Sequence, residues 1–264
     1  MTRLRHIPAS EGRPVLDGRL VLKLSADDTA DAYTFLCGHT PPGLGPPLHN
    51  HELEDETFYV LRGTYEMQCG PAAIRAGQGA ALHMPRYTPH TFRNVGDEPG
   101  QLVELMTPGG LDRYFDAVGH LGAEATDLEA RNAIGKPFGI SFPTDPGELI
   151  EPRPGERRRP ITFVAPGDGR RIDIGGQEAV VKVDATDTDG LHSLVELELP
   201  PGRRVQLPEA SRSLVVVVSG SLTVESGDEA VVGEEGDAIA VASAGAEAAA
   251  TDGLPARFLL FSVG

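Results

Sequence analysis

The sequence is poor in cysteine and contains no tryptophan. Its two cysteines, Cys37 and Cys69, do not form a CxxC pair, so neither a disulfide framework nor a zinc ribbon is expected. Long hydrophobic runs are also absent, since none approaches the roughly 18 apolar residues that a membrane-spanning helix needs. The first 15 residues contain no apolar segment of the kind found in a secretory signal. We therefore expect a soluble, cytoplasmic protein without a membrane partner.

Basic residues are in the minority, with 23 Lys and Arg against 39 Asp and Glu in 264 residues, a net charge of −16. A surface this acidic repels phosphate groups, so no nucleic acid partner is expected. Three kinds of motif are absent as well: the GxSxG elbow of serine hydrolases, the P-loop and the Rossmann fingerprint. Serine hydrolase, nucleotidase and dehydrogenase functions therefore have no support in the sequence.

Short apolar runs bounded by Gly, Pro, Asn and Asp recur in two parts of the chain. The first part extends from about residue 18 to 108 and includes TFYVL at 57–61. The second begins at about residue 161 and includes SLVVVV at 213–218. Runs of this length and spacing predict β-strands, and the 32 glycines and 22 prolines favour many turns. The predicted fold class is all-β.

The second β-rich part repeats the first. Gly63 and Gly220 each end an apolar run, and they are 157 residues apart. Gly79 and Gly236 each lie in a glycine-rich turn before the next run, and their separation is also 157 residues. Two pairs of equivalent glycines with the same separation predict a tandem repeat of one β-domain.

The sequence between the two β-rich parts is different. Helical spacing of apolar residues within 109–122 predicts one short helix, and Thr126 or Asp127 can cap a second. Residues 142–160 are rich in proline, and the basic run at 157–159 within them is interpreted as solvated. The predicted parts are an N-terminal domain at 1–112, a helical and Pro-rich connector at 113–160, and a C-terminal domain at 161–264.

Three of the eight histidines form a pattern with one carboxylate. His49 and His51 stand at i and i+2, so strand alternation points both imidazoles to the same face. Glu56 follows five residues later, and His90 lies on a strand beyond the next hairpin. An isolated HxH pair is more often a surface or core feature, but imidazole and carboxylate ligands together suit Fe, Mn, Ni, Co, Cu or Zn. The set predicts a site for one divalent transition metal of undetermined identity.

Two motif blocks surround these residues. Residues 43–63 read G-x5-H-x-H-x4-E-x6-G, and residues 79–94 read G-x5-P-x-Y-x2-H-x3-N. The blocks resemble the paired motifs of the cupin superfamily, whose fold is a small double-stranded β-helix, or jelly-roll barrel. Tyr87 departs from the family pattern, which usually has glycine there, and this affects a turn rather than a ligand. The resemblance implies two tandem cupin barrels joined by the helical and Pro-rich segment, with His49, His51, Glu56 and His90 as the metal ligands.

The C-terminal domain lacks these ligands. At the 157-residue offset, the four ligand positions are occupied by Gln206, Pro208, Ser213 and Glu247. We therefore expect a degenerate cupin barrel without a metal site.

Within the superfamily, residues 15–140 resemble quercetin 2,3-dioxygenase-like cupins. That resemblance implies a metal-dependent dioxygenase that acts on an enol or flavonol-type small molecule, with Glu56 as a ligand that also takes the enol proton. Alternation from Glu56 places Phe58 and Val60 on the same interior face, which favours an apolar ligand, and core packing explains these two residues equally well. Two other functions stay open: a non-oxidative metal-dependent isomerase, decarboxylase or lyase, and a cupin that binds a metal or small molecule without turnover. A homodimer also stays open.

Overall fold

The structure is a computed structural model that describes residues 3–119, 127–210, 212–242, 245–251 and 253–264. The chain divides into two units. We call Arg13–Gly167 the N-terminal barrel, and Met1–Gly12 together with Asp168–Gly264 the C-terminal barrel.

The described residues are mostly strands. Those of the first part of the chain are β1 (Leu4–Ile7), β2 (Arg13–Val15), β3 (Leu20–Leu24), β4 (Thr34–Thr40), β5 (Asn50–His51), β6 (Asp55–Arg62), β7 (Thr64–Cys69), β8 (Ala72–Gly77), β9 (Ala81–Met84), β10 (His90–Asn94), β11 (Gly100–Thr107), β12 (Ile140–Ser141) and β13 (Thr162–Val164). They are followed by β14 (Arg170–Ile174), β15 (Gln177–Val183), β16 (His192–Leu199), β17 (Arg204–Gln206), β18 (Arg212–Ser219), β19 (Ser221–Ser226), β20 (Glu229–Glu234), β21 (Ala238–Val241), β22 (Glu247–Ala250) and β23 (Ala256–Val263). The helices are α1 (Ala26–Thr29), α2 (Leu111–Val118) and α3 (Leu128–Gly135), with 3-10 turns at Leu16–Gly18 and Lys136–Phe138. No helix in the described ranges is long and apolar enough to cross a membrane.

The N-terminal barrel is built from antiparallel sheets. Seven strands pair in the order β13-β9-β6-β11-β4-β3-β2, three pair as β10-β7-β8, and β5 pairs with β12. Strand β7 shows why the sequence folds this way, because Tyr65, Met67 and Cys69 are buried while the residues between them are not. These three side chains share a core cluster with Phe58 and Leu82 of the larger sheet. The period-two pattern therefore places one face of β7 against the core.

The C-terminal barrel has the same strand order. Its seven-stranded sheet runs β1-β21-β18-β23-β16-β15-β14, and its second sheet runs β17-β22-β19-β20. The repeat extends to individual turns. The Gly79 amide donates to the Val60 carbonyl at 2.9 Å, and the Gly236 amide donates to the Val217 carbonyl at 2.9 Å, 157 residues later. The all-β fold with two jelly-roll barrels is confirmed.

The N-terminal strand belongs to the C-terminal barrel. Strand β1 pairs with β21, with Leu4 opposite Val241 and Ile7 opposite Ala238. Leu4 and Ile7 are 4% and 5% exposed. The N-terminal barrel thus begins at Arg13, whereas the sequence predicted a domain of residues 1–112. Strand β1 instead covers an edge of the C-terminal barrel's sheet that would otherwise be open.

The helices that the sequence predicts are present as α2 and α3, within the N-terminal barrel rather than in a separate connector. Leu111 and Phe115 of α2 pack into a core cluster with Met106 of β11. Asp127 caps α3 by accepting a hydrogen bond from the Ala130 amide at 2.7 Å. The other predicted cap, Thr126, lies outside the described residues.

Candidate metal centre

Glu56 reaches the barrel interior through the register of β6. It pairs with Met84 of β9 and Met106 of β11, and it is buried. The next residue, Thr57, points to the opposite face, where its hydroxyl lies 3.0 Å from Nδ1 of His83. Although His83 lies within the second motif block, it therefore faces away from Glu56.

His49 and His90 are held together by the backbone. The His49 amide donates to the His90 carbonyl at 3.0 Å, and the His90 amide donates to the His49 carbonyl at 2.7 Å. Each ring has Nδ1 at 2.9 Å from the carbonyl oxygen two residues earlier, that of Pro47 or Thr88. A carbonyl can only accept, so both Nδ1 atoms carry hydrogen and both Nε2 atoms face the cluster.

His90 and Glu56 lie close enough to share one ion. His90 Nε2 is 2.8 Å from Glu56 Oε2, and both side chains are buried. An imidazole nitrogen and a carboxylate oxygen at this place can bind one transition metal together.

His51 is the residue that tests whether the cluster fits a metal. It lies on β5 opposite Ile140 of β12 and is 3% exposed. Nε2 of His51 is 3.7 Å from Glu56 Oε2, and Nδ1 is 3.8 Å from Glu54 Oε2. Among the described residues, neither ring nitrogen has a hydrogen-bond partner. An unpartnered buried polar group costs about 1–3 kcal/mol, and a metal ion on Nε2 would remove that cost there.

The four side chains form one donor group. Their ligand atoms all lie within 4.8 Å of one another. Burial lowers the pKa of His49 to about 3 and holds the pKa of His51 well below its usual value. Both rings are therefore neutral near pH 7, the form that binds a metal. The cluster is suited to one metal ion.

The cluster opens into a cavity of about 880 Å³. Its apolar lining includes Leu44, Phe92, Leu111, Tyr114, Phe115 and Phe142. Phe58 and Val60 belong to the packed core, which is the second of the two explanations that their pattern allows. The aromatic wall comes mainly from α2 and from the residue after β12, so tertiary packing supplied the apolar environment from other elements.

Two buried carboxyl groups beside the cluster were missed by the sequence analysis. Burial raises the pKa of Glu54 to about 7. Glu104 lines the cavity, and burial together with the charge of Glu56 raises its pKa well above the usual range. The signal for Glu104 was present in the apolar run QLVELM at 101–106, where a carboxylate interrupts a strand.

The basic run of the connector is not fully solvated, which corrects one interpretation. Arg159 is 7% exposed, and its guanidinium donates to Asp55 Oδ1 at 2.5 Å. Arg86 donates to the same oxygen at 3.0 Å. Burial raises the pKa of Asp55, but the hydrogen bond and charge of Arg159, with Arg86, hold it below its usual value. A paired, ionised carboxylate thus lies beside Glu56 in sequence.

Tyr87 occupies the position where the family motif usually has glycine. Its φ of +71° is in the left-handed region that glycine adopts readily. Its amide donates to the His51 carbonyl at 2.8 Å, and its hydroxyl donates to Glu156 at 2.5 Å. The turn therefore has the backbone conformation of the family motif, as expected. The Tyr87 side chain also links the connector, through Glu156, to the loop before His90.

Comparisons with known proteins agree with this geometry. Residues 38–106 match the family model described as Cupin domain. Quercetin 2,3-dioxygenase of Bacillus subtilis is 27% identical over 115 residues, 43% of this chain and 34% of that protein. Protein SchB of Streptomyces halstedii is 36% identical over 91 residues, 34% of this chain and 62% of that protein. The chain therefore matches about a third of the first relative and under two thirds of the second.

A solved structure matches both barrels. A variant of the oxalate decarboxylase of Bacillus subtilis aligns with a TM-score of 0.65 over 98% of this chain and 76% of that chain, at 18% identity. The chain therefore has the two-barrel fold of a bicupin. The match to the cupin family model lies in the N-terminal barrel, which also holds the donor cluster.

The C-terminal barrel has other residues at the positions that correspond to the four donors. Gln206 pairs with Glu247 in the register that His49 and His90 share in the first barrel. Among the residues that the structure describes, this barrel contains no second group of the kind formed by the four ligands.

Proposed function

We propose that the N-terminal barrel is a metal-dependent dioxygenase of the quercetinase type, acting on an enol or flavonol-type small molecule. His49, His51, Glu56 and His90 would hold one divalent transition metal. The observation that carries this proposal is the buried His51 ring, unpartnered among the described residues, in a four-donor cluster that opens into an apolar cavity. The 27% identity to a quercetin 2,3-dioxygenase over 115 residues supports the choice of reaction.

A bound divalent metal would supply Lewis acidity, which lowers the pKa of an enol hydroxyl that it contacts. The protein's own groups do the rest. Glu56, whose Oε2 lies 2.8 Å from Nε2 of His90 at the candidate metal centre, is placed to take the enol proton. The carbonyls of Pro47 and Thr88 keep the His49 and His90 rings in one tautomer.

The cavity walls select the substrate. Phe115, Tyr114 and Phe142 present aromatic rings, which bind a planar apolar molecule better than a sugar or phosphate. Because Leu111 and Phe115 are also packed in a core cluster, α2 is held as a fixed wall of the cavity.

The test combines metal analysis with oxygen uptake. Tag-free protein should contain about one equivalent of transition metal, and His51→Ala should contain none. His39→Ala is the matched control, because His39 is an exposed histidine of β4 outside the cluster, and this variant should keep its metal.

Metal-loaded protein should then consume dioxygen in step with a flavonol such as quercetin. If the flavonol is turned over at an unchanged rate without oxygen, the protein is a non-oxidative enzyme and not a dioxygenase. If the flavonol is recovered unchanged after long aerobic incubation, the protein is a binding protein.

A further inference from the structure

We propose that Glu104 is a substrate-binding residue, whose carboxyl group accepts a hydrogen bond from a hydroxyl on a ring compound that reaches the metal centre with another oxygen. This inference rests on the proposed function and deepens it by naming a second polar contact in the cavity.

Glu104 is buried in an unusual way. It lies in the middle of β11, between Leu36 of β4 and Phe58 of β6, and it is 3% exposed. Its side chain lines the cavity. Among the described residues, Oε1 of Glu104 has no hydrogen-bond partner. Buried polar atoms are normally satisfied, so an unpartnered acceptor at a cavity wall indicates a donor from a bound molecule. Either protonation state of the carboxyl leaves an acceptor oxygen.

The neighbouring strand leaves space for this carboxyl. A Cβ atom built on Gly38 of β4 would lie 2.6 Å from Glu104 Oε1, so any side chain there would displace the carboxyl. Gly38 is not among the glycines with positive φ, so its backbone does not require glycine. The space beside Glu104 therefore explains the glycine.

The C-terminal barrel provides an internal comparison. By register, Leu260 occupies the position of Glu104, because it pairs with Val195 and Val215 as Glu104 pairs with Leu36 and Phe58. Leu197 occupies the position of Gly38, since each lies two residues further along the same strand. Leu197 and Leu260 are both buried in the hydrophobic core. The barrel without the metal ligands thus fills the same space with two leucines, and the barrel with them keeps a glycine and a carboxyl.

The register also places Glu104 near the candidate metal centre. Glu56 is opposite Met106, and Glu104 is opposite Phe58, so the two glutamates are diagonal neighbours on adjacent strands. The backbones at such positions are about 7–8 Å apart. A molecule that reaches the metal centre with one oxygen can therefore present a second oxygen to Glu104, and the aromatic wall of the cavity favours a ring compound.

Two probes test this assignment. One is 3-hydroxyflavone, whose single hydroxyl is the enol, and the other is quercetin, which adds hydroxyls on both ring systems. Their dissociation constants are measured without oxygen, in metal-loaded and metal-free protein. Wild-type protein should bind quercetin more tightly than 3-hydroxyflavone, and we call the ratio of the two dissociation constants the preference. Glu104→Leu introduces the residue type that the C-terminal barrel has at this position, and it should reduce the preference about tenfold to a hundredfold.

Further variants separate binding from folding. Gly38→Ala keeps the carboxyl but displaces it, and it should also reduce the preference. Glu104→Gln keeps an acceptor oxygen and should retain more of the preference than Glu104→Leu. Glu66→Gln, an exposed carboxylate on the outside of the same barrel, is the control and should leave the preference unchanged. Metal content should be the same in all of them, because none is a ligand.

The outcomes distinguish this inference from the proposed function. An unchanged preference in both Glu104→Leu and Gly38→Ala would overturn the role of Glu104, even if the enzyme turns over quercetin. No binding of either probe by wild-type protein would also overturn it. A preference that depends on Glu104 in a protein that neither consumes oxygen nor transforms the flavonol would support the inference and refute the dioxygenase.

Discussion

His49 and His90 exchange a pair of backbone hydrogen bonds, at 3.0 and 2.7 Å, although they are 41 residues apart in the chain. This pairing joins the two motif blocks and brings the ring centroids to 4.4 Å from each other. Because the pairing uses backbone atoms, it does not depend on the imidazoles. The barrel backbone thus sets the relative position of these two candidate ligands.

The first prediction concerns these two histidines. His49→Ala and His90→Ala should each abolish metal binding and leave the barrel folded, because the backbone pairing remains. Elemental mass spectrometry measures the metal, and circular dichroism measures the fold. At free metal about 1,000 times the dissociation constant, the wild-type protein should gain about 4 kcal/mol in free energy of unfolding, and the variants should gain none. Substantial unfolding of both variants would instead indicate a structural metal.

The second prediction concerns the buried ion pair of Asp55 and Arg159. Arg159→Ala removes one charged partner of the buried Asp55 and leaves Arg86 as the other, so it should reduce the free energy of unfolding by about 1.5–3 kcal/mol. Urea denaturation measures the loss. Arg93→Ala breaks the exposed pair with Glu66 and should cost about 1 kcal/mol or less. Equal effects of the two variants would show that the connector is not anchored through Asp55.

The third prediction concerns the thiols. Burial raises the pKa of Cys37, and that of Cys69, to about 12. A thiol-specific disulfide reagent at pH 8 should therefore not react with native protein and should react with both cysteines after denaturation. Because the folded state disfavours the Cys37 thiolate, the free energy of unfolding should fall as the pH rises from about 9 towards 12. Rapid labelling of the native protein would contradict this.

The fourth prediction concerns strand β1. Leu4→Ala removes a buried side chain from the core of the C-terminal barrel and should cost about 2–5 kcal/mol. Val232→Ala is the control, since Val232 lies in the same barrel and is 52% exposed. Calorimetry of both variants measures the difference. If Leu4→Ala is as harmless as Val232→Ala, β1 does not stabilise this barrel in solution.

Much of the candidate site was predictable because its information is local. The HxH spacing places two imidazoles on one face of a strand, and the motif blocks carry the turns that bring His90 beside them. Glu104 was harder to find, because its importance depends on Gly38, which lies 66 positions earlier in the chain. The contact between Gly38 and Glu104 exists only because β4 and β11 are neighbours in the folded sheet, and neither residue by itself predicts it.

The sequence by itself determined the strands, the repeat and the four donor residues, because side-chain alternation and turn chemistry act over a few residues. The tertiary structure decided which barrel residues 1–12 join, which connector arginine is buried, and which side chains line the cavity. Those outcomes depend on strand order and register across the sheets, where residues far apart in the chain share one desolvated environment.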